Sequence, residues 1–232
     1  MKKLAVITAR GGSKRIPRKN ILPFLGKPIL AYSIEAAIKS GQFDEVMVST
    51  DDEEIAQIAR EYGAKVPFMR SDATSNDFAN TEDVLLEVLD EYEKRGESFD
   101  LICCIYPTAP FVTADKLNEA LNKLLSSDAD TLIPVVRFSY PPQRALVMKD
   151  DYLEFKYPEH MLSRSQDLEP HFHDVGQFYM MKTEGFKKNK AIMRGKILPL
   201  EMPELEVQDI DNMTDWQIAE IKYQFMHKKE AE

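Results

Sequence analysis

The stretch that decides the fold runs from residue 4 to residue 20 and reads Leu4-Ala-Val-Ile-Thr-Ala-Arg-Gly-Gly-Ser-Lys-Arg-Ile-Pro-Arg-Lys-Asn20. Its first five residues are apolar or β-branched and predict a buried strand over Leu4–Thr8. The rest is a loop with two adjacent glycines and five cationic side chains in the ten positions from Arg10 to Lys19. A buried strand followed by a cationic, glycine-rich loop is typical of α/β proteins that bind phosphate groups.

Charge is distributed unevenly along the chain. Residues 1–34 contain eight Lys and Arg residues and no acid, although the 232 residues together have a formal net charge of −9 and a pI of about 5.1. A confined basic loop on an acidic protein favours a small anion such as a di- or triphosphate. A nucleic acid would require an extended basic stripe, which is absent from this sequence. The alternative interpretation is a solvated basic loop without a ligand.

The residue types in the loop suit phosphate chemistry. Gly11 and Gly12 tolerate positive φ and carry no Cβ, so we expect their backbone N–H groups to converge on phosphate oxygens. Arg10 and Lys14 add charge-assisted hydrogen bonds. The sequence has neither G-x-x-x-x-G-K-[ST] nor G-x-G-x-x-G, so this is a different kind of phosphate loop.

Short apolar runs alternate with helical patterns over most of the chain, which predicts a Rossmann-like α/β fold with a mostly parallel sheet. We expect one domain over residues 1–232 with an insertion at about 138–175, where the pattern breaks. Strands are predicted at 4–8, 45–49, 64–68, 101–105, 131–136, 177–181 and 196–200, and a further strand is predicted to end near 209. Helices are predicted at 29–40, 53–62, 81–95, 114–127 and 215–227, the last with a capping box formed by Thr214 and Gln217.

Asp209 and Asp211 form a second chemical signal. On a predicted strand they would project to the same side, with Cα atoms about 7 Å apart. Paired carboxylates suit Mg²⁺, which commonly bridges protein carboxylates and substrate phosphates. Ligands of open α/β sheets bind beyond the carboxyl ends of the strands, so the aspartates and the cationic loop are expected to meet there. The alternative is a polar turn with Asp caps before the last helix.

The two cysteines indicate the cellular compartment. Cys103 and Cys104 are neighbours on a predicted strand, where side chains alternate between faces, so a disulfide between them is not expected. Buried free thiols favour a reducing compartment, and we expect the protein to be cytoplasmic. The apolar run after Lys3 is too short for a secretory signal, and no segment is long enough to span a membrane.

These motifs together resemble one known family. The run from Ala9 to Asn20 resembles the N-terminal signature of the cytidylyltransferases that activate acidic nonulosonic sugars, the CMP-sialic acid synthetase family. The resemblance covers essentially the whole chain through Ser49–Asp51, Arg70, Pro107–Pro110 and Asp209–Asp211. It implies a fold of the nucleotide-diphospho-sugar transferase type. It also implies transfer of CMP from CTP to the anomeric hydroxyl of an acidic nine-carbon 2-keto sugar, with release of pyrophosphate.

The resemblance also implies Mg²⁺ as the cofactor and a homodimer joined through the insertion. It implies catalytic roles for Arg10, Lys14, Lys19 and Asp211, and metal binding by Asp209 and Asp211. Nucleotide contacts are implied for a larger set of residues: Ala9, Arg10, Gly11, Gly12, Ser13, Asn20, Arg70, Asn80, Thr81, Tyr106, Pro107 and Thr108. A sugar contact is implied for Arg164. We also predict sugar contacts for Gln143, His173 and Gln177, with Arg164 or His173 as partner of the sugar carboxylate.

Two departures from the family pattern bear on the sugar. Tyr106 stands where relatives typically have Gln, and 173–176 reads His-Asp-Val-Gly where they tend to have Arg-x-Asn-Gly. Residues 164–168 and 173–179 look instead like the branch that acts on pseudaminic acid. A changed sugar pocket beside an unchanged nucleotide pocket is what a different sugar would require. The alternatives are the same reaction on sialic, legionaminic or 3-deoxy-octulosonic acid, or a non-catalytic nucleotide-binding module.

Overall fold

A twisted central sheet with helices on both faces organises the molecule in the computed structural model, which describes residues 1–228. The strands of this part of the chain are β1 (Lys3–Thr8), β2 (Pro23–Phe24), β3 (Lys27–Pro28), β4 (Glu45–Ser49), β5 (Leu101–Ile105), β6 (Thr131–Arg137), β7 (Leu146–Lys149), β8 (Tyr152–Phe155), β9 (Phe172–Asp174), β10 (Phe178–Lys182) and β11 (Ile197–Glu201).

The helices alternate with these strands along the chain. They are α1 (Ile29–Ser40), α2 (Glu53–Glu61), α3 (Asp72–Ser75), α4 (Thr81–Lys94), α5 (Ala114–Leu125), α6 (Thr183–Asn189) and α7 (Met213–Lys228). Short 3₁₀ turns lie at Lys19–Ile21, Pro142–Arg144, Pro158–His160, Ser165–Asp167 and Glu204–Glu206. None of the helices within residues 1–228 combines the length and apolar character needed to cross a bilayer.

The main sheet has the strand order β11-β6-β10-β5-β1-β4, and β9 pairs with the carboxyl half of β6. Strands β1, β4 and β5 are mutually parallel neighbours, and β11 is parallel to β6. Only β9 and β10 run antiparallel to their partners in this sheet, within the described residues. The carboxyl ends of the parallel strands therefore lie on one edge, where the amino end of β10 also lies. The predicted α/β fold with a mostly parallel sheet is confirmed.

The strand predicted at residues 64–68 is wrong. Residues 64–68 do not form a strand, and only Lys65 makes an isolated bridge, to Met47 of β4. The Lys65 N–H and C=O groups bond the carbonyl of Val46 and the N–H of Val48. Pro67 lacks an N–H group, so a longer ladder cannot form beyond this point.

The core has a separate apolar cluster on each face of the sheet. Ala5, Ile7 and Cys103 belong to the cluster that α1 and α5 cover, whereas Val6 and Cys104 belong to the cluster under α4. The two cysteines therefore point to opposite faces as predicted, and both are buried free thiols. Burial raises the pKa of the Cys104 thiol to about 12, so it stays protonated and unreactive at neutral pH.

A third apolar cluster joins the two ends of the chain. Ile16 of the cationic loop, Ile210 beside the aspartates and Trp216 of α7 are all buried in it. The ring of Phe24 packs edge-on against Trp216, with ring centroids 5.5 Å apart. Packing of apolar side chains thus brings the amino-terminal loop and the carboxyl-terminal segment together, although nearly 200 residues of sequence separate them.

The predicted insertion leaves the sheet at the end of β6 and returns along β9. It contains the two-stranded hairpin of β7 and β8, whose residues are almost all exposed. Three of the 3₁₀ turns lie in this stretch. Of the predicted domain range 1–232, residues 229–232 lie outside the described part of the chain.

Candidate active site

The cationic loop is held by two aspartates that follow β4. The backbone N–H of Gly11 donates to Asp51 Oδ1 at 2.9 Å, so it is committed to the protein. Neither Gly11 nor Gly12 has positive φ, and the expected convergence of both N–H groups by way of left-handed backbone is wrong. The loop instead takes its left-handed residue at Arg18, with φ of 58°.

Asp52 both caps a helix and pairs with a cation of the loop. Its carboxylate accepts from the N–H of Ile55 at 3.0 Å and so caps α2. The same carboxylate forms an ion pair with Arg18, which lowers the pKa of Asp52 and raises that of Arg18. A Cβ on Gly11 would lie 2.8 Å from Asp52 Oδ2, so glycine is required there by close approach.

The cationic loop and the aspartate segment are in direct contact. The Lys19 ammonium donates to the carbonyl of Ile210 at 2.7 Å, and the Arg15 guanidinium pairs with Asp211 at 2.6 Å. Burial lowers the pKa of Lys19, and the charges of Asp211 and Asp209 oppose that shift. The predicted convergence of these two motifs at one edge of the sheet is therefore present in the structure.

A cavity of about 400 Å³ opens over the cationic loop. Among the predicted nucleotide and catalytic residues it is lined by Arg10, Ser13, Lys14, Lys19, Asn20, Tyr106, Pro107 and Thr108. Thr8, Arg15 and Ile16 complete its wall. Ala9 is fully buried behind this wall, with its N–H on the carbonyl of Ser49 at 3.0 Å. The cavity is therefore polycationic and lies at the carboxyl ends of β1 and β5.

One acidic side chain neutralises part of this charge. Asp77, in the loop before α4, pairs with both Arg10, at 3.3 Å, and Lys14. Arg10 also donates to the carbonyl of Asn76 at 3.2 Å. The hydrogen bond from Lys14 is the main cause that lowers the pKa of Asp77. Both cations thus already hold an anionic group.

A second cavity of about 210 Å³ adjoins the first through Thr8 and Arg10. Three of the predicted nucleotide contacts line it: Arg70, Asn80 and Thr81. If all the predicted contacts bind one nucleotide, its site must extend across both cavities. The buried Arg70 guanidinium donates to the carbonyl of Ser49 at 2.6 Å, and burial lowers the pKa of Arg70 to about 10. The arginine is therefore fixed in orientation before any ligand binds.

The amino terminus of α4 shapes this second cavity. Asn80 caps the helix, since its Oδ1 accepts from the N–H of Asp83 at 2.8 Å and Asp83 accepts from the N–H of Asn80. The Thr81 hydroxyl lies 3.2 Å from the Tyr106 hydroxyl, which ties the walls of the two cavities together. Tyr106, at the position where the family pattern has Gln, thus lies in the wall of the first cavity.

The aspartate segment does not form the predicted strand. Residues 207–210 have no regular secondary structure, and they follow the 3₁₀ turn Glu204–Glu206. The predicted capping box of Thr214 and Gln217 is also wrong. Asn212 caps α7 by accepting from the N–H of Thr214, and Asp215 accepts from the N–H groups of Asp211 and Asn212. The helix begins at Met213, so Thr214 lies within its first turn and Asn212 occupies the capping position.

Three side chains hold the backbone of this segment instead of a strand ladder. Lys222 of α7 donates to the carbonyl of Val207 at 2.8 Å, and Gln177 donates to the carbonyl of Glu206 at 2.6 Å. The third is Lys19, on the carbonyl of Ile210. Desolvation, followed by the charge of Asp211, raises the pKa of Asp209. The two carboxylates are therefore close enough to repel one another.

The donor chemistry fits a magnesium ion shared with a substrate. Asp209 and Asp211 supply hard carboxylate oxygens, and their mutual repulsion would be relieved by a cation. Within residues 1–228 no group of three or more His, Cys, Asp or Glu side chains could hold a metal by itself. Any cation at this position would complete its coordination with water and phosphate oxygens, as Mg²⁺ commonly does.

The predicted sugar contacts divide into two groups. His173 lines a third cavity of about 420 Å³ together with Asp209. Gln177 is buried behind it and supports Glu206, whereas Gln143 bonds the carbonyl of Glu169 at 2.8 Å within the insertion. Arg164 is exposed at the start of a 3₁₀ turn and does not line this cavity. The structure therefore brings His173 and Gln177 next to the aspartate segment, whereas Gln143 and Arg164 lie in the insertion.

Several residues of these cavities were not among the predicted contacts. Arg15 lies in the cationic run and could have been included on charge alone. Arg137 and Lys222, which line the third cavity, and Asp77 carry no local sequence signal. Each lies in a different element, and only the folded chain brings them to the site.

The cationic glycine loop lies at the carboxyl ends of parallel strands and faces two aspartates. This arrangement is typical of a nucleotidyltransferase. Comparison with protein-family models agrees, because the model described as Cytidylyltransferase matches residues 4–197. The chain belongs to the cytidylyltransferase family, and the resemblance seen in its motifs is confirmed.

The chain is also similar to individual curated proteins and solved structures. The chain is 41% identical over 229 residues to the pseudaminic acid cytidylyltransferase of Campylobacter jejuni, covering 98% of this chain and 99% of that protein. It is 31% identical to the CMP-N,N'-diacetyllegionaminic acid synthase of Legionella pneumophila, covering 95% of each. A CMP:2-keto-3-deoxy-manno-octonic acid synthetase complexed with CTP superposes with a TM-score of 0.72 over 98% of this chain and 100% of that one. At 18% identity that likeness shows the shared fold.

The two glycines of the loop give a matched test of its packing. We expect Gly11→Ala to lower the free energy of unfolding by about 1–3 kcal/mol, because its Cβ would clash with Asp52 and disturb the cap of α2. Gly12→Ala has open space for its Cβ and should change stability far less. Urea denaturation of both variants measures the difference, and equal stabilities would show that the Asp52 contact does not constrain the loop.

Proposed function

We propose that this cytidylyltransferase transfers CMP from CTP to the anomeric hydroxyl of pseudaminic acid and releases pyrophosphate. The observation that carries the proposal is the contact of the cationic loop with the aspartate segment, where Lys19 bonds Ile210 and Arg15 pairs with Asp211. This contact supports the proposal because side chains suited to polyphosphate and to a metal ion lie side by side. The 41% identity to a pseudaminic acid cytidylyltransferase over 98% of the chain supports the choice of sugar.

The nucleotide has a continuous site along two adjoining cavities. In the proposed complex the triphosphate lies over the loop, where Arg10, Lys14 and Lys19 bind its oxygens. The cytosine and ribose lie towards Arg70 and Thr81. Arg70 is held by Ser49 in a fixed orientation, so it reads the nucleotide without losing side-chain freedom on binding.

The acceptor enters from the opposite side, through the cavity of His173 and Asp209. The anomeric hydroxyl of the sugar attacks the α-phosphorus of CTP, and the bond to pyrophosphate breaks in line. Lys14, Lys19 and Arg10 stabilise the negative charge that grows on the leaving group. Asp211, paired with Arg15, is the protein group that we assign to accept the hydroxyl proton. Arg164 or His173 pairs with the sugar carboxylate.

Asp209 and Asp211 would hold Mg²⁺ in this scheme. When bound, the ion neutralises phosphate charge and stabilises the departing pyrophosphate. Lys19 keeps the loop against this segment through the Ile210 carbonyl, so the cationic and acidic halves of the site stay in register without the metal.

A substrate panel tests the reaction. With CTP, Mg²⁺ and pseudaminic acid we expect stoichiometric release of pyrophosphate, measured by a coupled phosphate assay. Legionaminic, sialic and 3-deoxy-octulosonic acids serve as competing acceptors, and ATP, GTP and UTP as competing donors. Faster turnover of another acceptor would reassign the sugar and keep the reaction. Nucleotide binding without turnover on any of these acids would refute the proposed function.

The aspartates give the second test. We expect Asp209→Ala and Asp211→Ala each to lower kcat at least about 100-fold, since charge stabilisation in a preorganised site contributes roughly 3 kcal/mol or more to the barrier. Circular dichroism and thermal unfolding should report a folded protein in both variants. Asp90→Ala, at an exposed position of α4, is the control and should keep full activity. Full activity in the Asp209 and Asp211 variants would remove the metal role.

We also propose that two copies of the chain associate through the insertion. The hairpin of β7 and β8 exposes large apolar side chains, among them Met148 and Tyr152, each 75% exposed, and Leu153. A two-stranded hairpin is marginally stable by itself, and exposed apolar patches of this kind commonly mark an interface. A second copy supplies a matching apolar surface, because the same patch can pair with itself about a two-fold axis.

Sedimentation velocity tests this association. We expect a dimer for the parent chain and a folded monomer for the double variant Met148→Glu, Leu153→Glu, because two carboxylates cannot be buried unpaired in an apolar contact. Ile221→Glu, at an exposed position of α7, should leave the dimer intact. A double variant that stays dimeric would show that the hairpin is not the interface.

The cellular location is proposed from the thiols. Cys103 and Cys104 are both free and buried, which suits the reducing cytoplasm. Non-reducing and reducing mass analysis of protein isolated from cells tests this, and a mixed disulfide on either cysteine would contradict it.

A further inference from the structure

The segment that carries the two aspartates depends on side chains for its position. Residues 207–210 are in no strand or helix, so no ladder of backbone bonds fixes them. Buried backbone carbonyls nevertheless require donors. In this segment the donors come from distant elements, and they decide where Asp209 and Asp211 lie.

Lys222 contributes two of these contacts. Its ammonium donates to the carbonyl of Val207 at 2.8 Å and approaches the carbonyl of Glu204 at 3.4 Å. One side chain thus bridges both ends of the turn that leads into the aspartates. The side chain is half-buried, so water competes less for the hydrogen bonds of its ammonium group than it does at an exposed lysine.

The element that carries Lys222 is a firm anchor. Trp216 and Ala219 of α7 are buried against Phe24 in the third apolar cluster. Asn212 and Asp215 cap the helix and bond the backbone just after the aspartates. Lys222 therefore connects the aspartate segment to a helix that is already fixed on the core.

Gln177 supports the same segment from the sheet. It is 1% exposed, and its Nε2 donates to the carbonyl of Glu206 at 2.6 Å. Gln177 lies just before β10, in the turn that also contains Gly176 of the third cavity. The aspartate segment is thus held between α7 on one side and the sheet edge on the other.

We propose that Lys222 is a positioning residue for nucleotidyl transfer, whose ammonium fixes the backbone of the segment that places Asp209 and Asp211 for metal binding, with Gln177 supporting the same segment. The inference rests on the proposed function for its role in catalysis. A side chain that orients metal ligands from behind commonly changes metal affinity 10- to 100-fold when removed. Lys222 also lines the cavity of Asp209, so the rival role is direct contact with the sugar carboxylate.

Metal binding separates these roles without any turnover. We expect Lys222→Met to weaken Mn²⁺ binding in the presence of CTP about tenfold or more, measured from the free-ion signal in electron paramagnetic resonance. Lys222→Arg should restore most of the affinity, because a guanidinium also donates to two carbonyls. At saturating metal the KM for the sugar should change little in Lys222→Met. A raised sugar KM with unchanged Mn²⁺ affinity would overturn the proposal in favour of direct sugar contact.

Lys182→Met is the matched control. Lys182 is also half-buried and donates to the carbonyl of Ser127 at 2.9 Å. It lies at the carboxyl end of β10, which is the end away from the aspartate segment. The Lys182→Met variant should lower the thermal midpoint about as much as Lys222→Met does, and it should leave the Mn²⁺ affinity unchanged. Equal losses of Mn²⁺ affinity in both variants would reduce Lys222 to a general stability role and overturn the proposal. Failure of the parent chain to use any acidic sugar would refute the proposed function, while the Mn²⁺ comparison would still decide the role of Lys222.

Discussion

The contact between Lys19 and the carbonyl of Ile210 is the constraint on which the rest of the site depends. It joins the loop after the first strand to a segment 191 positions later in the chain. The bond forms where apolar packing of Ile16, Ile210 and Trp216 has already brought the two segments together. Apolar packing and the hydrogen bond from the ammonium therefore act at the same junction. A site for a metal-bound polyphosphate needs positive and negative groups a few ångströms apart, and this junction provides both.

On the proposed function, the nucleotide and the sugar bind at different parts of the sheet. The loops proposed for the nucleotide follow β1, β4 and β5, which are parallel neighbours. The cavity proposed for the sugar lies where β6 leads out to the insertion and β9 returns. The antiparallel strand β10 stands between β5 and β6, and Gln177 at its amino end touches the aspartate segment. The sugar-binding side can therefore change in sequence without altering the loops that hold the nucleotide, which agrees with relatives that are named for different acidic sugars.

The parts of the structure that nearby residues decide could be predicted from the sequence, and the parts that distant residues decide could not. Strands β1, β4 and β5 were predictable because each is a short apolar run whose burial is decided locally. The run 64–68 has the same character, but Pro67 removes the N–H that a ladder would need. The residue types of the aspartate pair indicated its chemistry, whereas its backbone could not be predicted, since Lys222 and Gln177 hold it across the fold.

Asp77 gives the site a property that a cationic loop alone would lack. Its carboxylate pairs with both Arg10 and Lys14 and so neutralises part of their charge. On the proposed function, an arriving triphosphate exchanges one counter-anion for another, and its net binding energy is the difference between two sets of charge-assisted bonds. The displaced carboxylate sits three residues before Asn80, which caps α4 beside Thr81. On the same proposed function, displacement of Asp77 by the phosphates would act on the loop that leads into the cap of α4.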